Sequence, residues 1–512
     1  MVIDLKNLSL EPNVLHKMIC ALSTKVLSLT EEIQSLKDQL ALLKAKRFGK
    51  SSEKLDKQIE ELEELIESNE LDSLDEEKKP ELNQNNKPKP PCNSKRLKIP
   101  GHLPREDVVL NPDPECPDCG GQDFRKINDD TSETLEYVPA SFKVTRHIRP
   151  RCAFTNCEKI VQAFAPSEAI EKGKAGSGLL AHIMVQKYCN HLPMYRQSQI
   201  YAREGIEIPR NTMTGWAAQC SKLLDPLIDA LKQSVFASEY LHGDDTTIKV
   251  LGRKVGETKI GRIWVYVRDG RPCGNASPPA VVYYYSEDRK GKRPAEHLKE
   301  FSGVLHADAY PGYDNLYISE KNPEATISEA ACWAHNRRKF YEVTVANNKA
   351  NIAISVLEQI SEIYKIEADI RGLDPDQRLE SRRKHSKQLV DELFANIKKH
   401  RKDLPQKSST AKAINYAVNN QDALMRFLDD GQIEIDNNAA ERAMRGIALG
   451  RKNWMFAGSD KGGHTAANIY SLIETAKLNN INPWRYLEKV FDVIQDYNSS
   501  KLHELLPWNI TL

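Results

Sequence analysis

Tyr240-Leu-His-Gly-Asp-Asp-Thr-Thr-Ile-Lys-Val-Leu251 and Gly303-Val-Leu-His-Ala-Asp-Ala-Tyr310 are the two stretches whose reading decides the fold. Each is an apolar, strand-like run that carries an acid, Asp244 in the first and Asp308 in the second. Between them lie strand signals at Lys259–Arg268 and Ala280–Ser286, separated by Gly- and Pro-containing turns, and a helix-like Pro294–Phe301. The second acidic stretch contributes a strand over Val304–Asp308.

Three successive antiparallel strands, a helix and a fourth strand are the opening topology of a ribonuclease H-like core. In that arrangement the first and fourth strands lie side by side, so Asp244 and Asp308 are expected to converge although 64 residues apart. A third acid, Glu441, sits in the helix-forming run Asp436-Asn-Asn-Ala-Ala-Glu-Arg442. Mg²⁺ takes oxygen ligands and dehydrates reluctantly, so proteins hold it with a few carboxylates and let phosphate complete the shell. Two such ions assist both the attacking and the leaving oxygen of a phosphodiester exchange. Asp244, Asp308 and Glu441 are therefore candidate Mg²⁺ (or Mn²⁺) ligands and catalytic residues. Glu474, in Ser471-Leu-Ile-Glu-Thr-Ala-Lys477, competes for the third place. Its apolar neighbours and Lys477 suit a structural acid, whereas Glu441 follows a polar helix start and precedes Arg442, Arg445 and Arg451, which favour an ionised carboxylate.

The rest of the chain places this core in a larger, multidomain α+β molecule. With 512 residues, 40% hydrophobic and 28% charged, three or four soluble units are expected. No apolar run approaches membrane-spanning length and the N-terminus lacks a secretory core, which points to the cytoplasm and away from membranes. The net charge of +1 hides local basic clusters at Lys46–Lys50, Lys95–Lys98 and Arg146–Arg151. Leu22, Val26, Leu29, Ile33, Leu36, Leu40 and Leu43 alternate steps of four and three, the seam of a coiled coil over 15–67 and a route to a homo-oligomer. A polar, Asn/Lys/Pro-rich linker follows over 68–100.

Ten cysteines in so long a chain do not make a disulfide scaffold, but Cys116-Pro-Asp-Cys119 followed by Cys152 and Cys157 can give four thiolates to a structural Zn²⁺. Thr134–Val138 and Phe142–Arg146 read as the short strands of a zinc-ribbon-like module spanning 101–165. Residues 175–235 look helical. Within them Gln197–Arg203, the Gly205 turn and a second helix opened by Pro209 read as a helix-turn-helix. Arg196, Arg203, Arg210, Asn211 and Thr212 are its candidate DNA contacts; a helical hairpin with no DNA role is the plainer alternative.

The core is expected over 236–470, with a helical insertion at about 342–430 marked by stripes such as Val356, Ile360, Ile363 and Leu389, Leu393, Ile397, and a C-terminal helical element over 471–512. Arg337, Arg338, Arg445, Arg451 and Lys452 are candidate phosphate contacts near the acids. Cys332 and His335 read as half a zinc site or as residues that position the helix after the fourth strand. Trp454 and Phe456 read as core residues or as a stacking platform for an unpaired base.

These blocks together resemble bacterial transposases of insertion-sequence family sixty-six over nearly the whole chain. The matching motifs include Arg47-Phe-Gly-Lys-Ser-Ser-Glu-Lys-Leu55, the cysteine quartet, Lys187-Tyr-Cys-Asn-His-Leu-Pro-Met-Tyr-Arg196, Leu241–Thr246, Gly261–Asp269, Ala307–Tyr313, Cys332-Trp-Ala-His335, Asn437–Arg442, Arg451-Lys-Asn-Trp454 and Ser471–Lys477. The resemblance implies a DDE transposase with Asp244, Asp308 and Glu441 as its triad. It would act on double-stranded DNA, namely the inverted-repeat ends of its own element and a target, in the bacterial cytoplasm and nucleoid. Small accessory proteins encoded by the same element are further expected partners. Asp245 stands where the family more often has glutamate, which leaves open whether Asp244 or Asp245 faces the metal. Two other functions fit parts of the chain: a DNA-binding regulator with an inactive nuclease-like core, and an oligomeric scaffold.

Overall fold

The computed structural model describes residues 142–145, 151–153, 160–162 and 167–511, the last span apart from residues 172, 253–256, 320–321, 347–349 and 407. All of them belong to one unit, residues 139–512. The expected coiled coil (15–67), the linker (68–100), the strand Thr134–Val138 and the ligands Cys116, Cys119 and Cys157 lie outside the described residues.

Strands β1 (Arg151–Ala153) and β2 (Ile160–Gln162) form an antiparallel pair in which Cys152 lies opposite Val161. The strand expected at Phe142–Arg146 is corrected: residues 142–145 form no strand. Phe142 instead sets its ring edge-on against Tyr201 of a neighbouring helix, centroids 5.4 Å apart, so its apolar contact comes from a helix rather than a sheet.

Three helices follow: α1 (Ser177–Tyr188), α2 (Met194–Arg203) and α3 (Arg210–Phe236). Met213, Ala217, Cys220, Leu224, Leu227, Leu231 and Val235 recur at steps of three and four on α3, and this stripe is buried. The α2–α3 turn uses Gly205 at φ 80°, a conformation that costs a residue without Cβ little. Ser198 Oγ donates to the Ile208 carbonyl across that turn at 2.7 Å, and Pro209 stands at the N-cap of α3.

The central sheet is built from β3 (Tyr240–Leu251), β4 (Thr258–Arg268) and β5 (Ala280–Ser286), then, after the short α4 (Lys292–His297), β6 (Gly303–Ala307) and β7 (Ile327–Ala331). Its order is β5-β4-β3-β6-β7. The β3–β4 and β4–β5 pairs are antiparallel, and β3–β6 and β6–β7 are parallel. The first and fourth strands of the sheet are thus neighbours, with His242 registered on His306. The helix expected over Pro294–Phe301 begins earlier and ends at His297, and Phe301 beyond it is buried.

Helices α5 (Trp333–Ala346), α6 (Asn351–Asp369), α7 (Pro375–Ser381), α8 (Lys387–Arg401), α9 (Ser409–Asn419) and α10 (Gln421–Met425) make a second core. Trp333, Phe340, Val356, Ile360, Ile363, Leu393, Phe394 and Ile414 are buried in it, together with Ala330 and Ala331 of β7. A buried ion network braces these helices: Arg382 makes two bonds to Glu367, at 2.8 and 2.6 Å, and Arg378 pairs with Glu434 at 2.6 Å. Arg382 Nη1 also donates to the carbonyls of Phe427 and Asp430, which fixes the loop leading to the next helix.

That helix is α11 (Asn438–Asn453), followed by α12 (Asp460–Leu478) and α13 (Pro483–Val493). α12 lies along the edge strand β5, whose outward amides meet side chains instead of water: Ser471 Oγ accepts from Tyr283 N at 2.9 Å and Thr475 Oγ1 from Val281 N at 3.1 Å. This covering keeps α12 unbroken across the 470/471 boundary set out above. Among the described residues no helix is long and apolar enough to cross a membrane.

Candidate active site

Side chains alternate across a strand, so His242 and Asp244 of β3 share one face and Asp245 points to the other. Asp245 is anchored there. Its carboxylate accepts from Arg289 at 2.8 Å and Arg262 at 2.9 Å with a side chain only 3% exposed, and the Arg289 guanidinium lies 3.9 Å from the centroid of the Tyr310 ring. Among the described residues Asp244 Oδ1 accepts a local bond, from the Asp245 amide at 2.7 Å.

Asp308 follows β6 directly, two residues beyond His306, as Asp244 is two beyond His242. The chain bends at once after it, through Ala309 at φ 56°. A non-glycine residue in the left-handed region costs energy, and such residues cluster where the fold must aim a neighbour. Tyr416 Oη of α9 donates to the Asp308 carbonyl at 3.3 Å, so the helical insertion reaches this turn.

Glu441 lies in the first turn of α11, where the helix dipole favours an anionic side chain. The residue that sets this helix against the sheet is Asn437. Fully buried, it donates from Nδ2 to the Gly243 carbonyl at 2.9 Å, its Oδ1 lies 3.1 Å from His242 Nδ1, and its amide donates to Cys332 Sγ at 3.2 Å. One side chain and its amide thereby join β3, the β7–α5 corner and α11. Asp436 supports the same corner by accepting from Asn438 N at 3.1 Å and Nδ2 at 2.8 Å.

Asp244 feels both Asp308 and Glu441. Burial pushes the Asp244 carboxyl up to about 7, with the charges of Asp308, Asp245 and Glu441 adding to the rise and the Asp245 amide opposing it. Burial also raises Asp436, to about 6. Beneath the acids the rings of His242 and His306 stack 5.3 Å apart, both held below the ordinary histidine range by burial. Glu474 stands elsewhere. It is 13% exposed on α12, paired at 2.9 Å with Lys477, and its charge bears on Cys189, Tyr283 and Tyr470.

The other expected residues are distributed as follows. Arg196 is exposed at the start of α2, and Arg203, Arg210, Asn211 and Thr212 are exposed around the α2–α3 turn. Arg337 and Arg338 are exposed on α5, with Arg338 3.6 Å from Glu342; Arg445 and Lys452 are exposed on α11. Arg451 turns inward, its Nη1 donating to the carbonyl and Oγ1 of Thr247 at 2.7 Å, and ties α11 to β3. Trp454 is 8% exposed and packs in the core, while Phe456 is half-buried. Of the cysteine quartet only the Cys152 backbone is described, in β1. Asn437 was visible beforehand only as part of a polar helix start, and its three partners are scattered over distant segments.

With this geometry in place, comparison with known proteins decides the family. Residues 172–465, more than half of the chain, match the family model described as Transposase IS66 family. The chain belongs to the IS66 transposase family. Residues 471–508 match the IS66 C-terminal element, 113–158 the zinc-finger binding domain of transposase IS66, and 35–108 the model described as Transposase C of IS166 homeodomain. The IS66 zinc-finger match covers all four cysteines of the quartet and supports zinc binding in that region. Among similar proteins of Sinorhizobium fredii, the uncharacterized protein y4qI is 37% identical over 487 residues, 94% of this chain and 90% of that protein. The uncharacterized protein y4hP is 38% identical over 420 residues, 80% of this chain and 76% of that protein.

Proposed function

We propose that this IS66-family chain binds the inverted-repeat ends of its own insertion sequence and catalyses divalent-metal-dependent DNA strand cleavage and strand transfer. The sheet order β5-β4-β3-β6-β7, with β4 the strand antiparallel to both neighbours, supports a ribonuclease H-like core. What carries the reading is the placement of Asp244 on β3, Asp308 directly after the neighbouring parallel strand β6 and Glu441 at a helix start, with the charges of Asp308 and Glu441 adding to the burial-driven rise of the Asp244 carboxyl.

The residues fit a hard divalent ion. All three offer carboxylate oxygens, and an acid pushed up to about 7 by burial, with like charges adding to the rise, gains from a cation that offsets both. Asp244, Asp308 and Glu441 would hold Mg²⁺ (or Mn²⁺), which supplies Lewis-acid assistance to phosphodiester exchange. The remaining work belongs to the chain. Asn437 keeps Glu441 in register with β3, and Asp245, held by Arg262 and Arg289, locks the strand so that Asp244 faces the other two acids. Arg337, Arg338, Arg445 and Lys452 receive DNA phosphates beside the acids, while the exposed residues around the α2–α3 turn read the element ends. Arg451, engaged with Thr247, serves chiefly as a brace for α11. The working assembly is a homo-oligomer joined through the Leu22–Leu43 seam, with small accessory proteins of the element as further partners.

The test is direct. Duplexes carrying the DNA that flanks the gene are incubated with the full chain, with Mg²⁺ or with a chelator. The proposal expects nicks at the boundary of an imperfect inverted repeat with Mg²⁺ only. Binding without metal-dependent nicking would make the chain a DNA-binding regulator instead.

A further inference from the structure

Outside the oxygen set of Asp244 and Asp308, the start of α5 assembles donors of a different kind. Cys332 Sγ, a ring nitrogen of His335 and a Glu441 carboxylate oxygen all lie within 4.8 Å of one another. Cys332 closes the β7–α5 corner and is fully buried, and the two intervening residues bring His335 round the first turn of α5 to the same side. Among the described residues His335 Nδ1 is a buried atom with no hydrogen-bond partner, and it stands 3.7 Å from Glu441 Oε1. A buried polar nitrogen left unbonded costs free energy unless something meets it. The Asn437 amide, meanwhile, donates to Cys332 Sγ at 3.2 Å, the kind of outer-shell bond that orients a sulfur ligand.

We propose that Cys332, His335 and Glu441 form a zinc site that shares Glu441 with the carboxylate site, so that zinc and magnesium compete for this chain. A set of one sulfur, one imidazole nitrogen and one carboxylate oxygen suits Zn²⁺ and is poorly matched to Mg²⁺, which takes oxygen alone. Three protein ligands leave the fourth tetrahedral position to water. Cys332 loses its thiol proton to solvent as the zinc–sulfur bond forms. Zinc held here draws on Glu441 and so opposes Mg²⁺-dependent cleavage. The competition, though not the zinc site, rests on the function proposed above.

Metal analysis of the full chain, exchanged into excess ZnSO₄ and dialysed, tests the site. The wild type should retain two zinc ions per chain, one in the zinc-finger region and one here. Cys332→Ser and His335→Gln should each lose one, while Glu474→Gln should keep both. The Cys332 position is buried and its variant is open to misfolding; His335 is 30% exposed in its side chain, so His335→Gln serves as the folded partner. With Co²⁺ in place of zinc, a sulfur-to-metal absorption band should weaken in Cys332→Ser. A zinc count that His335→Gln leaves unchanged would overturn the site. Because the count requires no DNA, a chain that takes up the second zinc, yet never nicks DNA in Mg²⁺ once that zinc has been removed, defeats the proposed function alone. A chain that nicks in Mg²⁺ but takes up no second zinc from excess ZnSO₄ defeats the site alone.

Discussion

Asp244→Asn should make the metal-free protein more stable, and more so at pH 8 than at pH 4. Folding lifts the Asp244 carboxyl from its ordinary 3.8 to about 7, chiefly by burial and then by the charges of Asp308, Asp245 and Glu441. The folded chain therefore keeps a proton that the unfolded chain releases near pH 4, and stability falls as pH rises from about 4 to about 7. Above that window the cost of the ionised acid is fully present, at most about 4 kcal/mol for a shift of this size. Asparagine keeps an oxygen for the Asp245 amide and carries no charge, so the variant should gain about 2–4 kcal/mol at pH 8 and close to nothing at about pH 4. Urea unfolding of both proteins at the two pH values, in chelator, measures the difference. Mg²⁺ should then stabilise the wild type more than the variant, because only a ligand that binds the folded state raises stability. A variant no more stable than wild type at pH 8, or an equal gain at both pH values, would refute the reasoning. Equal stabilisation of both by Mg²⁺ would remove Asp244 from the metal.

Asp245→Asn should act in the opposite sense. It removes the negative charge paired with Arg262 and Arg289 and should destabilise by about 1–3 kcal/mol, less than a wholly buried pair because the two arginines are 23% and 37% exposed. Urea midpoints for the two neighbouring aspartates should therefore move apart. Asn437→Ala leaves the Gly243 carbonyl and His242 Nδ1 without their buried partner, a loss of about 2–5 kcal/mol. Its metal-dependent nicking should fall even under conditions where circular dichroism finds it folded; wild-type nicking would show that Asn437 does not position Glu441. Cys119→Ser should release the zinc of the 113–158 region, and metal analysis finding no loss of zinc would defeat that ligand assignment.

The strands were readable because each is a compact apolar run bounded by Gly or Pro. Tyr240–Leu251 and Ala280–Ser286 stand where their residues place them, and β6 differs by one residue at each end. Strand β7 escaped notice because Ile327-Ser-Glu-Ala-Ala331 carries little apolar signal, its pairing being supplied by β6. Phe142 misled in the other direction: a β-prone residue found its partner on a helix. Which of two adjacent aspartates faces Asp308 could not be read from the run itself. What bears on it is Arg289, 44 residues away, which donates to Asp245. The same distance problem hid the inward turn of Arg451 toward Thr247 and the threefold role of Asn437, since a hydrogen bond between remote segments leaves no periodic trace.

The central claim, that Asp244 and Asp308 are completed by a glutamate at the start of α11, is tested most directly by strand cleavage with two glutamine variants. Full-length wild type, Glu441→Gln and Glu474→Gln are given an element-end duplex in Mg²⁺, with binding followed by gel shift and nicking by denaturing gel. Glu441→Gln should bind the end as wild type does and produce no nick, whereas Glu474→Gln, which loses only a charge paired with Lys477, should retain measurable cleavage. Cleavage by Glu441→Gln together with silence from Glu474→Gln would contradict the account.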